Sequence, residues 1–344
     1  MINLFYFIIL VLSIVFLSNY CKKIKLLLSH SGEKHQEYVE KNSIPMIGGI
    51  FLILTFCILF YEIKIYPIFF AMLCVFFLGI FSDLKIINSP KARFFLQSVI
   101  IIFFVYFANL EILETRNYYL DQFMQYKLIN FIFVNFCILI LVNGNNFIDG
   151  LNGLLLGYFI IVSYFLLNTG FFEFYNISGY NLNIYFILFF VMIFFNVSNK
   201  LYLGDNGGYV ISIFFGFMLI NFHQNFSDIS PYFVILLLWY PCFENLFSII
   251  RKFKFNKSPI YPDSNHLHQL LFYFLNKKNK LKNIHNNNLS TFIILIVNFL
   301  VFSIGISDIY STRLQIFSII LAVIIYILSY IVLFKFKFKK LNLM

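Results

Sequence analysis

In the stretch NGNNFIDGLNG, four polar side chains recur at every third position: Asn143, Asn146, Asp149 and Asn152. Glycines accompany them, and the apolar run NFIFVNFCILILV precedes them. Two further aspartates stand in similar settings, Asp83 in FSDLKIINSPKARFFLQ and Asp205 in LYLGDNGGYV. Carboxylate and amide oxygens of this kind suit a hard cation such as Mg2+ (or Mn2+), which takes oxygen ligands and shares them with phosphates. Helix capping is the ordinary use of Asp and Asn beside apolar runs, and glycine serves close helix packing in membranes. Glycine also lets a backbone approach an anion, and a glycine-flanked helix start presents free N–H groups to one.

His266 and His268 add groups able to bind or protonate phosphate oxygens. Two residues apart, they share one side of an extended segment and diverge on a helix. Pro259 and Pro262 upstream favour the extended form. A structural zinc site needs about four ligands, and no cysteine is near. Exposed loop histidines without a role are the plainer alternative. Lys91, Arg93 and Arg251 bring positive charge suited to a nucleotide diphosphate or a lipid phosphate.

These groups must be positioned by a strongly apolar chain. Of its 344 residues 61% are hydrophobic and only 12% charged, about half the charge of a soluble domain. The expectation is an all-α, polytopic integral membrane protein. About eleven spans of roughly membrane-crossing length fit the sequence, near 3–20, 46–61, 66–81, 94–110, 129–142, 150–168, 183–198, 208–222, 231–250, 290–306 and 315–334. The first apolar run lacks a basic segment ahead of it, so it reads as a span rather than a signal peptide. With the N-terminus outside, all of the 25 basic residues except Lys64, Arg116, Lys127 and Arg313 fall in cytoplasmic segments, whereas acidic residues show no such bias. The C-terminus is then cytoplasmic. The net charge of +10 is accounted for by lysines facing anionic headgroups, so no nucleic acid is implied. The five cysteines form no CxxC pair and read as small buried residues. No repeat or long linker divides residues 1–344, which are expected to form one membrane domain.

That topology places every polar stretch on the cytoplasmic face, Asp83, Asp149 and Asp205 each at a helix end. One interfacial site explains this better than separate caps. The competing class is a lipid or solute transporter or flippase. Transporters set coupling acids near the midplane of repeated halves. Here the one acid within a span is Glu244, about 10 Å from Arg251 along a helix and so near the cytoplasmic end.

The residues between about 41 and 271 resemble the polyprenyl-phosphate N-acetylhexosamine-1-phosphate transferases, the superfamily of the phospho-N-acetylmuramoyl-pentapeptide translocase and of the enzymes that begin O-antigen synthesis. IPMIGG (44–49), SDLKIINSPKAR, NGNNFIDGLNGL, GDNGG, YPCFENLFSIIRK and HLHQ (266–269) are similar to its motifs, in its order. The resemblance implies transfer of a sugar-1-phosphate from a UDP-N-acetylhexosamine to a polyprenyl phosphate in a bacterial cell membrane, with release of UMP. It implies Asn146 and Asp205 as metal ligands, Asp83 beside the attacking lipid phosphate, and Asp149 at the centre of the site. Asn152 stands where the family contacts uridine, with Asn143 also taken as substrate-binding. His266 and His268 lie near the pyrophosphate and sugar. Glu244 occupies the acidic position of its motif. Partners are the two substrates and membrane lipids, with a second copy of the chain as a further candidate. Ser82, Asn152 and Gln269 depart from the pattern. Asn152 favours the surface-polysaccharide branch, Ser82 reads as a spectator or weak hydrogen-bond donor beside Asp83, and the departures leave a catalytically inactive lipid-phosphate-binding homologue as an alternative.

Overall fold

The computed structural model describes residues 2–29, 43–60, 66–256, 258, 263–279 and 281–339. Lys34, Lys41, Lys64, Lys257, Lys280 and Lys340 of the charge pattern, and Pro259 and Pro262, lie outside the described residues. Among those described, the chain is helical with no strand. In order the helices are α1 (Ile2–Ile24), α2 (Gly48–Phe60), α3 (Tyr66–Asp83), α4 (Pro90–Phe107), α5 (Tyr118–Met124), α6 (Lys127–Ile148) and α7 (Leu154–Leu166). There follow α8 (Phe171–Phe174), α9 (Gly179–Val197), α10 (Gly204–Asn225), α11 (Pro231–Lys254), α12 (Leu267–Lys278), α13 (Asn283–Gly305) and α14 (Thr312–Lys339).

Each expected span falls on one helix. Eight helices are at least 18 residues long and apolar enough to cross a membrane. The sequence count is higher because α2 and α7 are shorter apolar helices, and because α10 opens on the polar GDNGG. Large apolar side chains such as Phe16, Phe103, Phe194 and Leu328 face outward, as lipid contact requires and water contact would not. Cys74 is exposed, unlike the buried Cys21, so the expectation of buried cysteines does not hold there.

Local chemistry sets several helix starts. Proline stands at the first turn of α4 and of α11, where its missing N–H costs nothing, and Ser89 caps α4. At the centre runs α10, buried on nearly every face from Asn206 to Phe222. It packs against α2, α3 and α6, with Phe214 stacked on Phe56 at 4.1 Å and Phe215 on Phe159 at 4.3 Å between ring centroids. A helix enclosed on all sides cannot be amphipathic, which is why α10 shows no clear polar stripe. Its N-terminal end carries the polar chemistry.

Candidate active site

Three helices bring the aspartates together. Asp83 ends α3, Asp149 caps the C-terminus of α6, and Asp205 lies in the first turn of α10. The α6 helix runs through Asn143 and Asn146 to Ile148, so those amides are helical rather than part of a loop. The amides of this run bond both within the helix and across it. Asn143 donates to the Leu139 carbonyl at 2.8 Å, and Asn145 donates to Ser212 Oγ of α10 at 2.8 Å. Only the residues from Asp149 to Gly153 form the connection to α7.

Asp83 grips the start of α10. Its Oδ1 accepts from the Asp205 N–H at 3.0 Å, and its Oδ2 accepts from the Asn206 N–H at 3.1 Å and from Asn206 Nδ2 at 2.5 Å. A carboxylate is well placed there, where free N–H groups and the positive end of the helix dipole meet it. The approach is close enough to demand glycine twice. A Cβ on Gly79 would run into the backbone of Asn206, and Gly204, at φ +70°, would carry one 2.6 Å from Asp83 Oδ2. The IPMIGG stretch closes the other side: Asn206 Nδ2 donates to the Met46 carbonyl at 3.0 Å, and the Gly49 N–H donates to Asn206 Oδ1 at 2.8 Å.

Asp205 gathers donors on one oxygen. Its Oδ2 accepts from Ser82 Oγ at 2.5 Å, Arg93 Nη1 at 2.8 Å and Tyr209 Oη at 3.2 Å. Arg93 also donates to Ser82 Oγ at 2.9 Å. Ser82 is thus a direct partner of Asp205 and Arg93, more than a spectator. Among the described residues, Asp205 Oδ1 receives no hydrogen bond, and neither does the Asp149 carboxylate. Burial, then the negative charges of Asp205 and Asp83, hold the Asp149 carboxyl well above the usual range.

Both histidines approach from the start of α12. His266 is the extended N-cap of α12, and His268 lies in its first turn. The expected extended segment therefore ends at His266. The rings nonetheless lie nearly parallel, 5.6 Å apart with a 15° interplanar angle, because the bend at the cap replaces the alternation of a strand. Phe147 of α6 packs on His266 at 4.9 Å. His268 is fully buried, both ring nitrogens lack a hydrogen-bond partner, and Nε2 points at Gly150, next to Asp149. Burial, then the neighbouring His266, pushes the His268 imidazole down to about 3 against a smaller opposing pull from Glu244, so it is neutral. Gln269, where the family pattern has a histidine, accepts from the His266 N–H at 3.2 Å in a capping box.

Other expected contacts lie elsewhere. Arg251 is buried and committed to Asp263 (2.9 Å), Ser248 and the Asn265 carbonyl, so it anchors the loop before α12. Asn152 Nδ2 donates to Asn199 Oδ1 at 2.5 Å, among asparagines from α9 and α13 rather than among the aspartates. Lys91 is exposed, with no hydrogen bond or ion pair among the described residues. Asn146 is half-buried on the last turn of α6. Tyr209 and Asn206 were not singled out in the sequence. Tyr209, four residues after Asp205 and hence on the same helix face, carried a usable signal.

Among the described residues, no three His, Cys, Asp or Glu side chains are grouped so as to hold a metal ion. The donor chemistry still fits a hard cation. The open Asp205 Oδ1, the Asp149 carboxyl without a hydrogen bond and the Asn146 amide offer oxygen, and a bound cation would relieve the penalty that holds Asp149 towards its neutral form.

The class defined by fold and site is a polytopic helical membrane protein, and residues 65–223 match the sequence model of glycosyl transferase family 4. Over 163 residues the chain is 30% identical to the phospho-N-acetylmuramoyl-pentapeptide-transferase of Prochlorococcus marinus subsp. pastoris, a stretch covering 41% of this chain and 44% of that protein. The match thus spans less than half the relative's length. Both likenesses support the polyprenyl-phosphate hexosamine-1-phosphate transferase superfamily read from the motifs. The family segment contains the three aspartates and Arg93, but ends before Glu244, Arg251, His266 and His268.

Proposed function

We propose that this chain transfers an N-acetylhexosamine-1-phosphate from a UDP-sugar to a polyprenyl phosphate at the cytoplasmic face of a bacterial cell membrane. The observation that carries the reading is the meeting of three helix-end carboxylates, one arginine and a buried neutral histidine at one end of the bundle. The basic-residue asymmetry supports a cytoplasmic site with the N-terminus outside.

In the reaction, an oxygen of the lipid phosphate attacks the sugar-linked phosphorus of the UDP-sugar. A new P–O bond forms, the bond to the bridging oxygen breaks, and UMP leaves with that oxygen. Two polyanions must meet, so the protein's task is to position them and offset charge. When bound, Mg2+ or Mn2+ would be held by Asp205 Oδ1, Asp149 and Asn146, and would neutralise charge on the pyrophosphate oxygens. Asp83, with both oxygens taken up by α10, acts by fixing Asp205 rather than by taking a proton from the lipid phosphate. Arg93 keeps Asp205 Oδ2 occupied and sets a fixed positive charge beside the lipid phosphate. His268 offers a neutral nitrogen to a phosphate or sugar hydroxyl, and His266 lies beside it. The lipid tail stays in the bilayer and the nucleotide in the cytosol. Asn152 supports the branch that begins surface polysaccharides, although the matched relative is a muramoyl-pentapeptide enzyme. Chromatography of the nucleotide product tests the reading: UMP is expected, and UDP as the sole product overturns it.

A further inference from the structure

Glu244 has no part in the steps above, yet it is 1% exposed within α11. A carboxylate enclosed within a span is costly unless it is paired and hydrogen-bonded. Both oxygens are taken: Oε1 lies 2.8 Å from His266 Nδ1, and Oε2 accepts from the Tyr326 hydroxyl of α14 at 2.8 Å. A carboxylate only accepts, so the proton shared with His266 sits on Nδ1. Nε2 is thereby turned away from α11, 3.4 Å from Asp263 Oδ1.

Docking the loop is not sufficient reason for this arrangement, because the loop is held without it. Arg251 binds Asp263 and the Asn265 carbonyl, Lys337 binds the Ser264 carbonyl at 2.7 Å, and Gln269 closes the capping box. What Glu244 adds is control of the imidazole. We infer that Glu244, itself aligned by Tyr326, is a positioning residue that fixes the tautomer and ring plane of His266 for its work on the phosphate groups. The inference rests on the transferase reading. It also gives the last long helix, α14, a direct line to the site, from a position beyond the family segment.

The charged and titratable groups around His266 are Glu244, Arg251 and Lys252 from α11, Asp263 from the loop, His268 from α12 and, through Glu244, Tyr326 from α14. Glu244→Gln removes one negative charge touching the ring and nothing else from this set. The neutral imidazole is then favoured, and its titration moves to lower pH. Tyr326→Phe removes a donor from Glu244 and leaves its charge less quenched, so the titration moves slightly the other way.

The test is the pH–rate profile of UMP release by the full-length protein in polyprenyl phosphate micelles. Glu244→Gln should lower kcat and move the imidazole limb of the profile acidward by about one pH unit. Tyr326→Phe should move it alkaline by less, and carries the test alone if Glu244→Gln does not fold. In a His266→Ala background, Glu244→Gln should add less than a twofold loss. Equal losses at every pH with an unmoved limb, or losses that add in the double variant, overturn the positioning role alone. A wild-type protein inactive at every pH overturns the transferase reading and this role with it.

Discussion

The aspartate end and the histidine end of the site are built in opposite ways. At the aspartate end, α3, α6 and α10 bring three carboxyl groups close together, Asp83 bonded to the start of α10 and Asp205 to Ser82, Arg93 and Tyr209, while Asp149 is left without a hydrogen bond among the described residues. At the histidine end, acid and base are matched: Glu244 meets His266 and Tyr326, and Arg251 meets Asp263. Among the described residues there, both His268 ring nitrogens are left without a partner, as is Arg251 Nε, although the rest of that guanidinium is engaged. One end crowds carboxyl groups whose ionisation a cation would favour, and the other presents neutral or paired groups on a fixed frame. Polar groups without a protein partner beside such a cluster are where a ligand has most to gain.

This contrast breaks most sharply at Asp205. Asp205→Asn removes a donor oxygen's charge from the cation site and a partner from Arg93. It should lower turnover by at least ~100-fold, about 2.7 kcal/mol of barrier, and weaken Mn2+ binding measured by electron paramagnetic resonance. Unchanged turnover and Mn2+ binding would dissolve the distinction between the two ends. His268→Ala comes next, with an expected loss of about tenfold to 100-fold from the removal of one well-placed proton-handling group. Because the ring is neutral, His268→Gln should recover part of that loss, whereas no recovery would mean that the ring serves packing.

Asp149→Asn sharpens the contrast through stability instead. With its carboxyl held well above the usual value, the folded protein keeps a proton that the unfolded chain gives up above pH ~4. Wild-type stability therefore falls as pH rises above that value, and continues to fall until the raised folded value is passed. In chelator at neutral pH, Asp149→Asn should melt a few degrees higher than wild type while losing activity. A lower melting temperature at every pH would show that the carboxylate is already balanced. The smallest effect is expected for Ser82→Ala. Asp205 Oδ2 would keep Arg93 and Tyr209, so steady-state activity should stay within about tenfold, under ~1.4 kcal/mol.

Much of the aspartate end was legible in the sequence, for a physical reason. Asp83, Asp149 and Asp205 each follow or precede an apolar run, and a chain that must bury its backbone in lipid turns such runs into helices with polar ends. Their convergence could be inferred from topology, but the division of labour could not. That Asp83 caps α10 depends on the approach of α3 at Gly79, and that Ser82 reaches Asp205 depends on the rotation of α3, neither of which periodicity sets. The histidine end was half legible. HLHQ advertised chemistry, whereas Tyr326 is one aromatic residue in a chain with 50 Phe and 23 Tyr, and its contact with Glu244 spans 82 positions. The partners of Arg251 and Asn152 were not legible, because positive charge and amides serve a loop anchor or an asparagine cluster as readily as a substrate.

The central claim is tested most directly by isotope exchange. Purified protein in polyprenyl phosphate micelles, given a UDP-N-acetylhexosamine and radiolabelled UMP, should move label into the UDP-sugar only when Mg2+ or Mn2+ is present. Excess chelator should abolish the exchange. Label that never enters the UDP-sugar with any N-acetylhexosamine, or exchange that persists undiminished in chelator, would contradict the account.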